Sequence, residues 1–259
     1  MAIYLRYETP GATGYGELVG DEIHPLEGEF GQWRRAAAPL LRLADVKLLA
    51  PVTPSKIIAI GPNSRMGLAE AKMPIPEHPM YWTKPASCLN HPEGVIEIPS
   101  DVPAVNPEVE LGIVIGKRAK QVKRENAQEY ILGYTCVNDV TAGDFSTPTS
   151  FMSSPFFVYG KTYDGFAPIG PWIVTNIDPS NLHRECRVNG EVRQSQSTSD
   201  QIFSPEVLVE LVSHVGTLLP GDVISTGSPP GVMPVHHGDV VEIEIEGIGV
   251  LRNHARNRS

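Results

Sequence analysis

No stretch of 18 or more consecutive apolar residues occurs in this 259-residue sequence, which excludes a transmembrane helix. The first residues, Met1-Ala2-Ile3-Tyr4-Leu5-Arg6-Tyr7-Glu8, lack the basic-then-apolar layout of a signal peptide, so a cytoplasmic protein is expected. Cysteine is scarce: Cys88, Cys136 and Cys186 are far apart, odd in number and free of any Cys-x-x-Cys spacing. That pattern argues against disulfides and structural zinc, and for a reduced compartment in which each cysteine is packing material. Positive charge is also short. Thirty acidic residues face 21 basic ones, a formal charge of -9, and no Lys/Arg stripe with interleaved aromatics is visible. A nucleic-acid partner is therefore not expected. Internal repeats and low-complexity segments are absent as well.

Glycine and proline, by contrast, are plentiful at 24 each, and they are spread along the chain as punctuation between short strands and turns. With 41% hydrophobic and 20% charged residues the chain reads as a soluble globular protein with one substantial core. A boundary falls near Ala50-Pro51-Val52-Thr53-Pro54. Residues 1–50 read as a small N-terminal α/β domain, with strands at 3–7 and 15–19 and a helix around 32–44. Residues 51–259 read as a β-rich body with strands at 56–60, 109–115, 133–137, 172–175, 187–188, 223–226 and 240–246. Ser204-Pro205-Glu206 supplies an N-cap, a first-turn proline and an acidic first turn. Val207, Leu208, Leu211, Val212 and Val215 follow as an apolar stripe, ended by Pro220-Gly221-Asp222. A second, short helix is expected near 125–131.

The chemistry centres on Glu108-Val109-Glu110, which opens the apolar run Leu111-Gly112-Ile113-Val114-Ile115. Side chains at i and i+2 of a strand share a face, so the two glutamates aim one way while Val109 and Leu111 point the other. Two carboxylates held so close repel unless a cation or a shared proton intervenes. Asp139, in Val137-Asn138-Asp139-Val140-Thr141, would complete an all-oxygen site suited to a hard divalent cation. Glu-x-Glu alone is weak, because plain alternation on a wet strand produces it too. Glu242, Glu244 and Glu246 in the strictly alternating 240–246 run are read as such a solvated row.

Several segments in order resemble the fumarylacetoacetate hydrolase family. They include Glu108-Val109-Glu110-Leu111, Asn138-Asp139-Val140-Thr141-Ala142, Gly160-Lys161-Thr162-Tyr163-Asp164-Gly165-Phe166, Val188-Asn189-Gly190-Glu191, Leu219-Pro220-Gly221-Asp222 and Thr226-Gly227-Ser228-Pro229-Pro230-Gly231. The resemblance runs from about residue 50 to the end. It implies an α+β, β-rich fold, a mixed β-roll catalytic domain with a smaller N-terminal domain, usually paired as a homodimer. It implies that Glu108, Glu110 and Asp139 hold Mg2+ or Mn2+, and that Lys161 stabilises an enolate and shuttles a proton, its pKa lowered by the metal. A divalent cation chelated by a carboxylate and a 2-oxo oxygen stabilises charge developing on that oxygen.

Two departures from the family pattern bear on the reaction. Hydrolytic members carry Gly-Arg-Asn-Tyr followed by a histidine and, three residues on, a glutamate. Here Gly61-Pro62-Asn63-Ser64-Arg65-Met66-Gly67-Leu68-Ala69-Glu70 keeps the glutamate as Glu70 but has Gly67 at the histidine position. Gly67 cannot abstract a proton, and His78 or His91 would have to supply any imidazole. Gly143 stands where many relatives have an arginine that holds a substrate carboxylate. Lys84 keeps a family position and, with Thr226 of the Thr226-Gly227-Ser228 motif, is a candidate substrate contact, while Arg65 is the candidate to fill the space of the missing arginine. Glu70, without an imidazole partner, is read as a proton carrier, and Pro62, Gly67, Pro74, Pro76 and Pro79 mark residues 61–80 as a mobile lid. The expected function is cleavage of a C–C bond in a small anionic 2-oxo acid through a metal-bound enolate, by acylpyruvate-type hydrolysis or oxaloacetate-type decarboxylation. The alternatives are isomerisation of an unsaturated 2-oxo or 2-hydroxy diacid from aromatic catabolism, and a non-catalytic small-molecule-binding homologue.

Overall fold

A computed structural model describes residues 1–145, 150 and 152–258. Strands dominate, as expected, and pair both parallel and antiparallel. In the larger sheet the order runs Glu22–Glu27, Ala12–Val19, Ile3–Thr9, Ala167–Val174, Ile131–Asn138, Val109–Ile115, Val223–Ser225, Ile57–Gly61, Met80–Lys84, with short strands at its edges. The first fifty residues are therefore stitched into the sheet of the body, Ile3 opposite Val174 and Tyr4 opposite Ile173. A second, five-stranded sheet runs Val95–Ile98, Gly249–Asn257, Val240–Ile245, His183–Val188, Glu191–Ser197.

The strand Val109–Ile115 is the keel of the molecule. All seven of its residues are buried, between Ile131–Asn138 on one side and Val223–Ser225 on the other. Its odd-numbered residues Val109, Leu111 and Ile113 face the main core, shared with Cys186, Ile243 and Leu251 of the second sheet. Val114 faces a separate cluster with Ile57, Val137, Ile169 and Val223. This two-sided burial explains why the run is almost continuously apolar, and it leaves the Glu110 side of the strand to carry chemistry at one end.

The solvated-row reading of Glu242 and Glu244 holds. Both lie outside the core while Val241, Ile243 and Ile245 are buried, and Arg187 pairs with both glutamates. The helix expected at 32–44 is not there. That segment holds the two-residue strands Arg34–Arg35 and Leu41–Arg42 and a 3-10 turn, Leu43–Asp45. Trp33 packs on Tyr4, Tyr15 and Phe30, and Arg34 and Arg35 pair with Glu27 and Glu17, so tertiary contacts override the helix propensity of Ala36-Ala37-Ala38. The 125–131 helix is a 3-10 helix, Arg124–Tyr130. The helix Pro205–Val215 forms as expected, but Val209 joins Leu208 and Val212 on its buried face while Val215 is 63% exposed. Its Ser204 makes no side-chain cap; the hydroxyl donates to Glu206 instead. Among the described residues no helix is long and apolar enough to cross a membrane. All three cysteines are buried and free.

Candidate active site

The two carboxylates of the Glu-x-Glu step and Asp139 lie at the same end of the keel strand, with Lys161 between Glu108 and Asp139. Asn138 lies opposite Val109, its side-chain oxygen accepts from the Glu108 amide, and the Asp139 amide donates to the Glu108 carbonyl. These bonds fix Asp139 beside Glu108 although the two are far apart in sequence. Glu108, Glu110 and Asp139 are all buried. Hydroxyls hold each glutamate in place. Thr141 and Ser228 donate to the two Glu108 oxygens at 2.6 Å each, and Ser225 donates to Glu110 Oε2 at 2.6 Å.

Two glycines let the backbone come this close. The Gly227 amide donates to Glu110 Oε2 at 2.7 Å with φ at +95°, and a Cβ there would sit 2.7 Å from Asn63 Cβ. A Cβ on Gly160 would lie 2.1 Å from the Ala142 carbonyl oxygen, so only glycine permits the turn that delivers Lys161.

Lys161 is the residue that binds the cluster together. Its Nζ donates to Asp139 Oδ2, to Thr141 Oγ1 at 2.8 Å and to Glu108 Oε1 at 3.3 Å, with the Trp82 ring centroid 5.6 Å away. Lys84, fully buried, donates to Asp139 Oδ1 at 2.5 Å and to the Val140 carbonyl at 2.9 Å. Burial pushes Asp139 upward, but Lys161 and Lys84 outweigh it and hold the carboxyl below the usual range. Burial also lowers Lys84. For Lys161 burial is outweighed by Asp139, Glu108 and Glu110, which raise it. Glu110 is driven up to about 8 by burial and then by the charges of Asp139 and Glu108.

This balance tests whether a divalent cation suits the residues present. Among the described residues no three His, Cys, Asp or Glu side chains stand gathered for an ion. The Lys161 ammonium lies between Glu108 and Asp139, and Glu110 turns to Ser225 and Gly227. The donor set nevertheless fits. Glu110 is buried beside Asp139 and Glu108, and burial first, then those two charges, raise its pKa to about 8, so the carboxylate side of the cluster favours an added cation. An all-oxygen donor set suits a hard cation such as Mg2+ or Mn2+.

A cavity of about 440 Å3 opens over the cluster. Glu108, Glu110 and Lys161 form its floor, and the helix Arg65–Glu70 forms a wall. Ser64 caps this helix by accepting from the Gly67 amide, and Asp200 accepts from the Ser64 hydroxyl and the Met66 amide. Ser64, Gly67, Leu68 and Ala71, spaced i, i+3, i+4, i+7, face the cavity, with Glu70 at its rim. The proposed lid thus has a helical first half, while residues 71–79 form neither helix nor strand.

Of the sequence-predicted residues, the fold brings Glu108, Glu110, Lys161 and Glu70 to the cavity, with Asp139 buried behind Lys161. Arg65 lies exposed, outside the cavity lining. Lys84 is sealed behind Asp139, where it can position that carboxylate but does not line the cavity. The Thr226 hydroxyl is spent on Gln201, and Thr226 too is outside the lining. No histidine is among the lining residues; His91 accepts from the Ala50 amide elsewhere. Sequence reasoning missed Ser228, Ser225, Thr141 and Trp82. Ser228 and Thr141 stood inside quoted motifs, but which carboxylate a hydroxyl serves is decided by strand register.

Residues 56–256 match the family described as fumarylacetoacetate (FAA) hydrolase, C-terminal, and residues 4–51 match one described as Rv2993c-like, N-terminal. The chain is 42% identical over 234 residues to the mitochondrial oxaloacetate tautomerase FAHD2A of Bos taurus, covering 85% of this chain and 74% of that one. Among solved structures it is similar to a 2-hydroxyhepta-2,4-diene-1,7-dioate isomerase from Mycobacterium marinum, at a TM-score of 0.89 and 35% identity over the whole of both chains. It is also similar to maleylpyruvate hydrolase from Sphingobium sp. SYK-6, solved with manganese (II) ion and pyruvate, at a TM-score of 0.79, 28% identity and full coverage of both chains.

Proposed function

The chain belongs to the fumarylacetoacetate hydrolase family, a family of enzymes, and from that premise we propose a divalent-metal-dependent enzyme of small 2-oxo acids that works by proton transfer through the enol. The reaction is keto–enol tautomerisation or the shift of a conjugated double bond. The observation that carries this reading is the make-up of the cavity among the described residues: carboxylates and one ammonium group, with no imidazole to activate water. Likeness to a tautomerase and to an isomerase supports it. Cleavage of a C–C bond, which the sequence put first, is the second reading, favoured by likeness to maleylpyruvate hydrolase.

Glu108, Glu110 and Asp139 would hold Mg2+ or Mn2+, as the manganese in the Sphingobium structure suggests. When bound, the cation supplies Lewis acidity toward a carboxylate and a 2-oxo oxygen. Lys161 is anchored within the cluster and faces the cavity, so its ammonium is preorganised to meet charge developing on the substrate oxygen. Lys84 positions Asp139. Glu70, at the rim, carries the proton to and from carbon. The small anionic substrate and a homodimeric assembly complete the proposal.

The test is to follow enol absorbance of an enolised 2-oxo acid with Mg2+ or Mn2+, while monitoring acid products and CO2. Accelerated enol decay without cleavage, lost in EDTA and in Glu70→Gln, is the expected result. Cleavage products forming at the rate of enol loss would replace this reading with the second one.

A further inference from the structure

The walls of the cavity above the carboxylate cluster are mostly apolar. Leu68, Met73, Met80, Trp82, Phe157 and Val232 line it, and two of these are methionines, whose flexible thioethers adapt to aromatic and alkyl shapes. The ionisable groups in the lining are Glu70, Glu108, Glu110 and Lys161. Lys161 is the one cation among them, and its ammonium is committed at the floor to Asp139, Glu108 and Thr141. Other basic side chains nearby are turned elsewhere. Arg65 is exposed and does not line the cavity, Lys84 is sealed behind Asp139, and buried Arg184 donates to the Gly227 carbonyl without lining the cavity. Residues 146–149 and 151 are Ser, Thr, Pro, Thr and Phe, so they add no positive charge.

A second carboxylate seated in the cavity would exchange water for walls of sulfur and hydrocarbon, and the ionisable side chain of the lining beyond the floor is the like-charged Glu70. Burying an unpaired carboxylate is costly, whereas an aryl or alkyl group gains by the same move. We infer that, within the function proposed above, the substrate is a 2-oxo acid with a single carboxylate and an apolar tail, aromatic or branched alkyl, seated against Trp82 and the methionine wall. The inference rests on that reading for the head group and on the cavity alone for the tail. It separates this chain from relatives whose names specify diacids, such as oxaloacetate and 2-hydroxyhepta-2,4-diene-1,7-dioate.

Oxamates mimic the head of a 2-oxo acid without reacting, so they isolate the tail. The experiment is calorimetric titration of the Mn2+-loaded protein with N-phenyloxamate and with N-(carboxymethyl)oxamate, after titration with Mn2+ alone. The phenyl ligand is expected to bind at least ~10-fold more tightly, the scale of discrimination by an apolar pocket. Met73→Arg and, independently, Val232→Arg place a cation in the wall and should narrow or invert that ratio while Mn2+ affinity stays unchanged. Equal or tighter binding of the diacid by the unaltered protein overturns the inference and leaves the proposed function standing. Binding of neither oxamate by protein that does bind Mn2+ overturns both.

Discussion

Replacing Lys161 by methionine removes a charge from the centre of the cluster with little change of volume. Lys161 is the partner of Glu108 at 3.3 Å and of Asp139, with its side chain 7% exposed. Removing one member of a buried ion pair costs about 3–5 kcal/mol because the other charge is left uncompensated. Here the lower end applies. Asp139 keeps Lys84 at 2.5 Å, and Glu108 keeps the Thr141 and Ser228 hydroxyls. At about 2–4 °C per kcal/mol for a chain near this size, a loss of about 3 kcal/mol lowers Tm by roughly 6–12 °C. A divalent cation would take over the compensation, so the deficit should shrink with saturating Mg2+. Catalysis should not recover: loss of one preorganised electrostatic group costs roughly a hundredfold or more in kcat. Scanning calorimetry of Lys161→Met and wild type, in EDTA and in Mg2+, measures the first effect and the enol assay the second. A Tm gap that is equal in EDTA and in Mg2+ would refute the view that lysine and metal compensate the same carboxylates.

Three further expectations follow from neighbouring residues. Glu110, raised to about 8 by burial and by Asp139 and Glu108, keeps its proton in the folded chain after the unfolded chain has lost it near 4.5, so its contribution to stability is full below that pH and lost as pH rises toward 8. Metal-free Tm should therefore fall more steeply between pH 5 and 8 in wild type than in Glu110→Gln; parallel profiles in calorimetry would contradict this. Gly67→His keeps a helical backbone but needs Ser64, whose Oγ would lie 3.3 Å from the new Cβ, to give by a few tenths of an ångström, and the added imidazole should shift an acylpyruvate toward hydrolysis products, read by chromatography, with an unchanged product ratio as the contrary result. Sedimentation should give twice the 28.2 kDa chain mass if the chain pairs as its family resemblance implies, and a monomer at micromolar concentration would remove that proposal.

What could be read from the sequence was whatever local periodicity encodes. The keel strand was legible as a short continuous apolar run headed by its carboxylate pair, and the helix Pro205–Val215 through its apolar stripe and its Ser-Pro-Glu start. The 32–44 segment was not legible: its alanines favour a helix, and only the aromatic cluster of Tyr4, Tyr15, Phe30 and Trp33 explains why it runs extended. At the site, Glu108, Glu110, Asp139 and Lys161 come from motifs, yet the hydroxyl shell of Thr141, Ser225 and Ser228 depends on which strands pair. The same holds for Lys84 and Arg65, whose charge made them substrate candidates in sequence, while burial of one and outward exposure of the other direct them elsewhere.

The central claim is that the three buried carboxylates form a divalent-cation site. Crystals of the protein grown with Mn2+ and measured near the manganese absorption edge test it directly. The expected result is one strong anomalous peak among the Glu108, Glu110 and Asp139 carboxylates, absent from Glu110→Gln crystals, with the Lys161 ammonium moved off Asp139. Crystals without a peak there, with Lys161 still joining Asp139 to Glu108 in excess Mn2+, would contradict the account.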